Sequence, residues 1–173
     1  MKKILINDAY RYGKDGKMPK FQKYYRLTQT EKFIPFKMIY RVLFSIYKRI
    51  NLVQLYYQTE IGEGLYFGHP FCITINPAVT IGKNVNIHKG VTIGQENRGI
   101  RKGVPTIGNN VWIGVNSVIV GNITIGNDVL IAPNSYVNCD IPDHSIVFGN
   151  PCIVKTSENA TIGYINRTVD FDI

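Results

Sequence analysis

Residues 61–94 read IGEGLYFGHPFCITINPAVTIGKNVNIHKGVTIG, and residues 107–137 read IGNNVWIGVNSVIVGNITIGNDVLIAPNSYV. One aliphatic position returns every six residues: Ile61, Phe67 and Ile73, then, after a two-residue slip, Ile75, Ile81, Ile87 and Ile93. After a break the series resumes at Ile107, Ile113, Ile119, Ile125, Ile131 and Val137. Eleven of these thirteen residues are isoleucine, a bias produced neither by the 3.6-residue period of a helix nor by simple strand alternation. The residue after each anchor is often small, as at Gly62, Gly68, Gly82, Gly94, Gly108, Gly114, Gly126 and Ala132. Three after it comes a turn former such as Gly64, Asn84, Gly90, Asn110, Asn116, Asp128 or Asn134. Gly and Asn tolerate positive φ better than other residues, so a corner recurs every six residues. Short strands joined by such corners stack an aliphatic column inside a three-faced prism. The expected fold is therefore mainly β, a hexapeptide-repeat parallel β-helix. At roughly 18 residues per coil, residues 61–137 supply about four coils.

The spacing between Ile93 and Ile107 is 14 instead of a multiple of six. One further hexad leaves an excursion over residues 95–103, QENRGIRKG. A solenoid ejects such an insertion as a loop without disturbing its core, and surface loops often carry function. Arg98, Arg101 and Lys102 give this loop a positive charge suited to phosphates or to an acidic acceptor.

Upstream the pattern differs. Residues 1–27 are polar, aromatic and broken by Gly13, Gly16 and Pro19, which suggests an irregular arm. From Phe33 to Ile50 apolar residues recur at spacings of three and four, which predicts an amphipathic helix over 35–50. Thr28 and Glu31 have the spacing of a capping box before it. Lys32, Lys37, Arg41, Lys48 and Arg49 read as its polar face, with peripheral membrane proximity as the alternative. Residues 1–50 hold 13 Lys and Arg against three acids, whereas residues 51–173 hold seven bases and nine acids. The basicity thus belongs to one segment. No zinc-finger spacing or nucleic-acid-binding aromatic motif accompanies it, so nucleic acid is not an expected partner.

At 173 residues with 45% hydrophobic content, the chain has enough apolar surface for a core. No run approaches the roughly 20 apolar residues of a membrane span. The three cysteines, Cys72, Cys139 and Cys152, cannot all pair, which points to free thiols and a cytoplasmic location. The expected organisation is an N-terminal arm and helix over 1–55, the β-helix over 56–155 with its loop at 95–103, and a tail over 156–173. Open solenoid ends need covering, and the helix and the 140–173 segment are expected at opposite ends.

The segment GHPFCITINPAVTIGKNVNIHKGVTIG (68–94) resembles the serine acetyltransferase branch of the hexapeptide-repeat acyltransferases. PTIGNNVWIG (105–114), followed by DIPDHSIVFGNPCIV (140–154), is similar to that class as a whole. The resemblance covers residues 51–155. It implies a left-handed coil, a homotrimer with each active site between neighbouring prisms, and acetyl-CoA as acyl donor with no metal required. By position it implicates Gly114 and Val115 on one coil, and Ala132 and Pro133 on the next, in holding acetyl-CoA. Lys155 is the expected phosphate partner. Trp112 faces outward by the hexad phase, suited to pantetheine, to the acceptor or to a trimer contact.

A hydroxyl must lose its proton as it attacks a thioester, and a neutral imidazole accepts it near pH 7. The chain offers His69, His88 and His144. His69 heads HPFCITI, which resembles HATGIVI, the segment carrying the catalytic histidine in serine acetyltransferases; it is the expected general base. His88 lies 19 residues on, close to one coil, in a slot elsewhere often small, so it is assigned a second contacting or polarising role. His144, in a Pro-Asp-His-Ser turn, reads as structural. Cys72 reads as a buried or half-buried inert thiol, with a nucleophile as the alternative. A carbonic-anhydrase-like zinc site needs three convergent histidines, and the repeats hold two.

Two positions depart from the serine acetyltransferase pattern. The Asp that precedes the catalytic histidine by 15 residues is Gln54 here, and the second histidine of RHPKI is Val104 in GVPTI. Glu60 and Glu63 are the acids near His69 in sequence. These departures move the expected acceptor to a sugar hydroxyl in surface-polysaccharide (capsule or exopolysaccharide) biosynthesis. Serine O-acetyl transfer in cysteine biosynthesis is the alternative, and a non-catalytic solenoid the remote one.

Overall fold

The computed structural model describes residues 3–14 and 16–169. Three helices, α1 (Lys3–Arg11), α2 (Lys20–Thr30) and α3 (Ile34–Ile50), precede a parallel β-solenoid. Its first face stacks Glu60–Ile61, Thr80–Ile81, Thr106–Ile107 and Thr124–Ile125. The second stacks Tyr66–Gly68, Asn86–His88, Val111–Ile113, Val129–Ile131 and Ser145–Phe148. The third stacks Thr74–Ile75, Thr92–Gly94, Val118–Val120 and Tyr136–Val137. Anchor pairs with anchor throughout, for example Phe67 with Ile87 and Ile87 with Ile113. This register puts every predicted column residue in the core, so the six-residue period is the period of burial. Bridges at Gln54–Thr74 and Ile125–Ile141 lengthen the stack at both ends. The prism has about five turns where the repeat count predicts four, because the flanking rungs lack the Ile signature.

The two-residue slip takes its place in the structure at one corner. Ile75, not Ile73, is the register partner of Ile93. The first turn therefore carries two extra residues between Gly68 and Ile75, in the corner that begins at His69.

Where an irregular arm is expected over 1–27, residues 3–11 and 20–27 are helical. Their polar residues form helices because those residues point inward. Asp8 and Arg26 are both fully buried and form an ion pair at 2.7 Å. Arg26 also donates to the carbonyls of Ile61 and Gly62, and Asp8 accepts from the Leu65 N–H. Phe21 packs on Phe67, and Tyr25 on Phe44, so α2 seals the first rung. Thr28 lies within α2 and donates to the Tyr25 carbonyl, so it makes no capping box. Glu31 instead accepts from the N–H groups of Lys32 and Phe33 ahead of α3.

Helix α3 runs where the spacing predicts, but its expected polar face is turned inward. Lys37, Arg41 and Lys48 are half-buried, with Arg41 over the Tyr57 ring and Lys48 donating to the Leu55 carbonyl. Its exposed side is apolar. No helix among the described residues is long and apolar enough to cross a membrane.

At the far end Ile153–Thr156 pairs antiparallel with Ser145–Phe148 and forms the exposed edge of the second face. From residue 157, however, the tail does not cover that end but folds back along the prism. The Ala160 and Thr161 N–H groups bind Asp128, Tyr164 accepts from Asn86, and Val169 exchanges two hydrogen bonds with Asn84.

Candidate active site

The corner between the second and third faces holds His69. Strand Tyr66–Gly68 ends there, and His69 and Cys72 both adopt left-handed backbone (φ 50° and 54°). Non-glycine residues at positive φ cost of order 1–3 kcal/mol each, and such strain clusters at functional turns. The turn is held from outside. Asn51, at the end of α3, donates its side-chain amide to the Pro70 carbonyl at 3.0 Å, and its own carbonyl accepts from the Cys72 N–H at 3.2 Å. From the next rung, Lys89 and Gly90 donate to the carbonyls of Gly68 and Phe71. The His69 side chain is exposed on the rim. The Cys72 thiol is also free and exposed, which corrects the expectation of a buried thiol.

His88 stands one rung above, in register with Gly68. A Cβ built on Gly68 would lie 2.4 Å from Cε1 and Nδ1 of His88, so the imidazole rests on the glycine. The opposite nitrogen, Nε2, is buried without a hydrogen-bond partner. Burial, and secondarily the proximity of His69, push the His88 pKa below its ordinary value, so His88 is neutral at pH 7. Its ring meets Trp112 at 4.7 Å between centroids, and Trp112 meets Tyr164 of the returning tail edge-on at 5.1 Å. Trp112 faces outward as its phase predicts, with the tail against one side.

Gly114 and Ala132 lie on the next rungs of the same corner. A Cβ on Gly114 would sit 2.6 Å from the Pro133 backbone nitrogen, and Val115 accepts from the Asn134 N–H. The strip along the prism axis is thus poor in large side chains, with Gly68 and Gly114 buried and Val115 and Ala132 half-buried. Lys155 extends over the Phe148 ring at its far end.

The remaining expected residues lie elsewhere. Loop 95–103 closes through paired backbone bonds between Glu96 and Gly103 and leaves from the corner between the third and first faces. Arg98, Arg101 and Lys102 are exposed on it, and Arg98 and Arg101 line a cavity of about 230 Å³ with Val120 and Asn138. Within one chain the basic loop and the His69 corner occupy different edges of the prism. Val104 packs against the core, and Gln54 is exposed on the third face. Glu63 is paired with Lys83 at 2.9 Å and bound by Asn7, Glu60 is exposed on the first face, and neither meets His69. Among the described residues no carboxylate hydrogen-bonds the His69 ring. His144 pairs with Asp128 on the tail's corner.

Gly68 and Asn51 are the positions that sequence reasoning passes over. Gly68 is hidden among many post-anchor glycines, and Asn51 acts across 19 residues. The slip between Ile73 and Ile75 is the signal of this corner in the hexad spacing, beside the HPFCITI resemblance that selects His69.

Residues 105–139 match the family model of the bacterial transferase hexapeptide (six repeats). The chain is 32% identical to a serine acetyltransferase of Staphylococcus epidermidis over 123 residues, 71% of this chain and 58% of that protein. It therefore spans a little over half the length of the curated relatives it matches. The crystal structure of a Neisseria gonorrhoeae serine acetyltransferase superposes with a TM-score of 0.73 at 25% identity, covering 90% of this chain and 65% of that one. A serine acetyltransferase in complex with CoA superposes with a TM-score of 0.65 at 26% identity, covering 78% of this chain and 55% of that one.

Proposed function

The chain is a hexapeptide-repeat protein similar to the serine acetyltransferases, and from that premise we propose that it moves the acetyl group of acetyl-CoA onto an acceptor hydroxyl. The observation that carries this function is the placement of His69 and His88 on successive rungs of one corner, beside a strip of small residues. The His69 imidazole takes the hydroxyl proton while the acceptor oxygen attacks the thioester carbonyl. Backbone N–H groups stabilise the developing oxyanion. The C–S bond then breaks, and the imidazolium returns the proton to the CoA thiolate. No acyl-enzyme forms, and Cys72 takes no part. His88, neutral and seated on Gly68 one rung above, takes the second, polarising role beside His69. The backbone along Gly114, Val115, Ala132 and Pro133 suits an extended pantetheine arm, and Lys155 suits its phosphates.

For the acceptor, relatives named serine acetyltransferase favour L-serine over the sugar hydroxyl expected from the sequence. L-serine is the first assignment. A sugar hydroxyl is the second, because Val104 against the core and the uncharged Gln54 supply neither partner that an amino acid's charged groups require. Arg98 or Arg101 would hold the serine carboxylate if the loop of one prism reaches the His69 corner of the next. The loop and His69 lie on different edges of one chain, which supports a homotrimer with shared sites. Light scattering should then give three times 19.6 kDa; a monomer mass rules out shared sites.

The test of function is CoA-thiol release from acetyl-CoA, corrected for hydrolysis, with L-serine and a panel of sugars. Release dependent on L-serine supports the first acceptor, and release dependent on sugars alone selects the second. No acceptor-dependent release from either class refutes the proposed activity.

A further inference from the structure

Helix α3 turns its apolar side to solvent. Met38, Ile39, Val42, Ile46 and Ile50 are each between 48% and 64% exposed. Their spacings of one, three and four residues place them on one side of a 17-residue helix. Single exposed apolar residues are ordinary, but a contiguous stripe marks an interaction surface. Phe44 is the helix's fully buried side chain, and the opposite side meets α2 through Tyr24 stacked on Tyr47. The stripe is therefore what remains after α3 has made its packing contacts.

Charge identifies the occupant. Helix α3 carries four bases, Lys37, Arg41, Lys48 and Arg49, and no acid. The 50 residues around it hold 13 bases against three acids, and one of those acids, Asp8, is consumed by Arg26 in the interior. Of these bases Lys37, Arg41 and Lys48 are half-buried on the inner side, whereas Arg49 is exposed among the stripe residues at the last turn and Lys32 is exposed ahead of the helix. A second copy docking through this same face would bring two acid-free basic helices together, which like charge opposes. An anionic lipid surface offers what both features need: an acyl boundary for the stripe and phosphates for its basic rim.

We infer that α3 docks this protein onto an anionic lipid surface, with the Met38–Ile50 stripe at headgroup depth and Lys32 and Arg49 at the phosphates. Asn51 links the end of α3 to the His69 turn, so a docked helix holds the candidate active site close to the lipid. The inference does not depend on which acceptor is used.

The experiment is flotation of the full chain with vesicles of phosphatidylcholine alone and with about 30% phosphatidylglycerol added, the negative charge being the variable. The wild type floats with the anionic vesicles at low salt, and binding falls about 10-fold or more in roughly 0.5 M NaCl, where charges are screened within a few Å. Val42→Glu/Ile46→Glu, both at exposed positions, abolishes flotation while leaving the far-UV spectrum unchanged. Lys32→Gln/Arg49→Gln, which spares the stripe, weakens binding to anionic vesicles selectively and keeps the test decisive should the first variant misfold. Absence of flotation with either vesicle, or equal flotation of wild type and both variants, overturns the inference. So does a wild type that never floats but loses oligomeric mass on Val42→Glu/Ile46→Glu, because the stripe then covers a second copy.

Discussion

Gly68 and His88 are register partners, and the imidazole fills the space that a side chain at Gly68 would occupy. The constraint is one of space, since a Cβ would stand 2.4 Å from two ring atoms. Gly68→Ala should therefore displace the His88 ring while the coil stays folded. A misplacement of about 1 Å at a reacting group costs on the order of 10²-fold, so kcat should fall by roughly that factor with little change in melting temperature. An unchanged kcat would show that the position of His88 does not matter to the reaction.

The depressed His88 pKa makes a statement about stability. Burial first, and His69 second, disfavour the charged ring in the folded state. As pH falls, the unfolded chain takes up this proton before the folded one does. The contribution is thus intact above the ordinary histidine value of about 6.5 and is lost as pH falls below it. Denaturant titrations from pH 8 to pH 5 should show wild type losing stability relative to His88→Gln. Parallel curves would mean that the ring is not held neutral by the fold.

Asp128 anchors the returning tail. It accepts from the Ala160 and Thr161 N–H groups, from the Thr161 hydroxyl at 2.6 Å and from His144 at 2.9 Å. Burial alone would raise its pKa, but these bonds outweigh burial and hold it below the usual carboxylate range. Its contribution is present above about pH 3.9 and is lost as pH falls further. Asp128→Asn tolerates the positive φ at this corner but removes the charge, at about 1–3 kcal/mol. Amide exchange should accelerate about 10-fold or more in residues 157–169 alone, the equivalent of 1.4 kcal/mol. Unchanged exchange there would show that the tail is held by other contacts.

The ion pair between Asp8 and Arg26 latches α1 and α2 to the first rung. Removing one partner of a buried pair leaves an uncompensated charge and costs about 3–5 kcal/mol. Asp8→Ala should lower the melting temperature accordingly. A loss below about 0.5 kcal/mol, the range of an ordinary surface substitution, would contradict the latch.

These same residues mark where sequence reasoning succeeds and where it stops. The Ile column was legible because solenoid burial has a period of its own, and every anchor from Ile61 to Val137 is buried as its phase requires. Helices α1 and α2 were not legible, because Asp8, Gln22 and Arg26 are polar residues spent on one another inside the protein. The stripe on α3 was legible as a stripe, but periodicity does not say whether it faces the core or the solvent. The His69 corner announced itself as two surplus residues before Ile75 and in the HPFCITI resemblance that picked out His69. Its support from Asn51 and the seat of His88 on Gly68 depend on contacts between distant parts of the chain.

The most direct test of the proposed chemistry compares His69→Ala with wild type in the thiol-release assay and in thermal melts with and without CoA. Loss of a general base costs about 10²–10⁴-fold, so kcat should fall within that range. The stabilisation by CoA, which reports binding to the folded state, should stay unchanged. A near-wild-type rate for His69→Ala, with activity lost instead in His88→Ala, would contradict the assignment of His69 as the base.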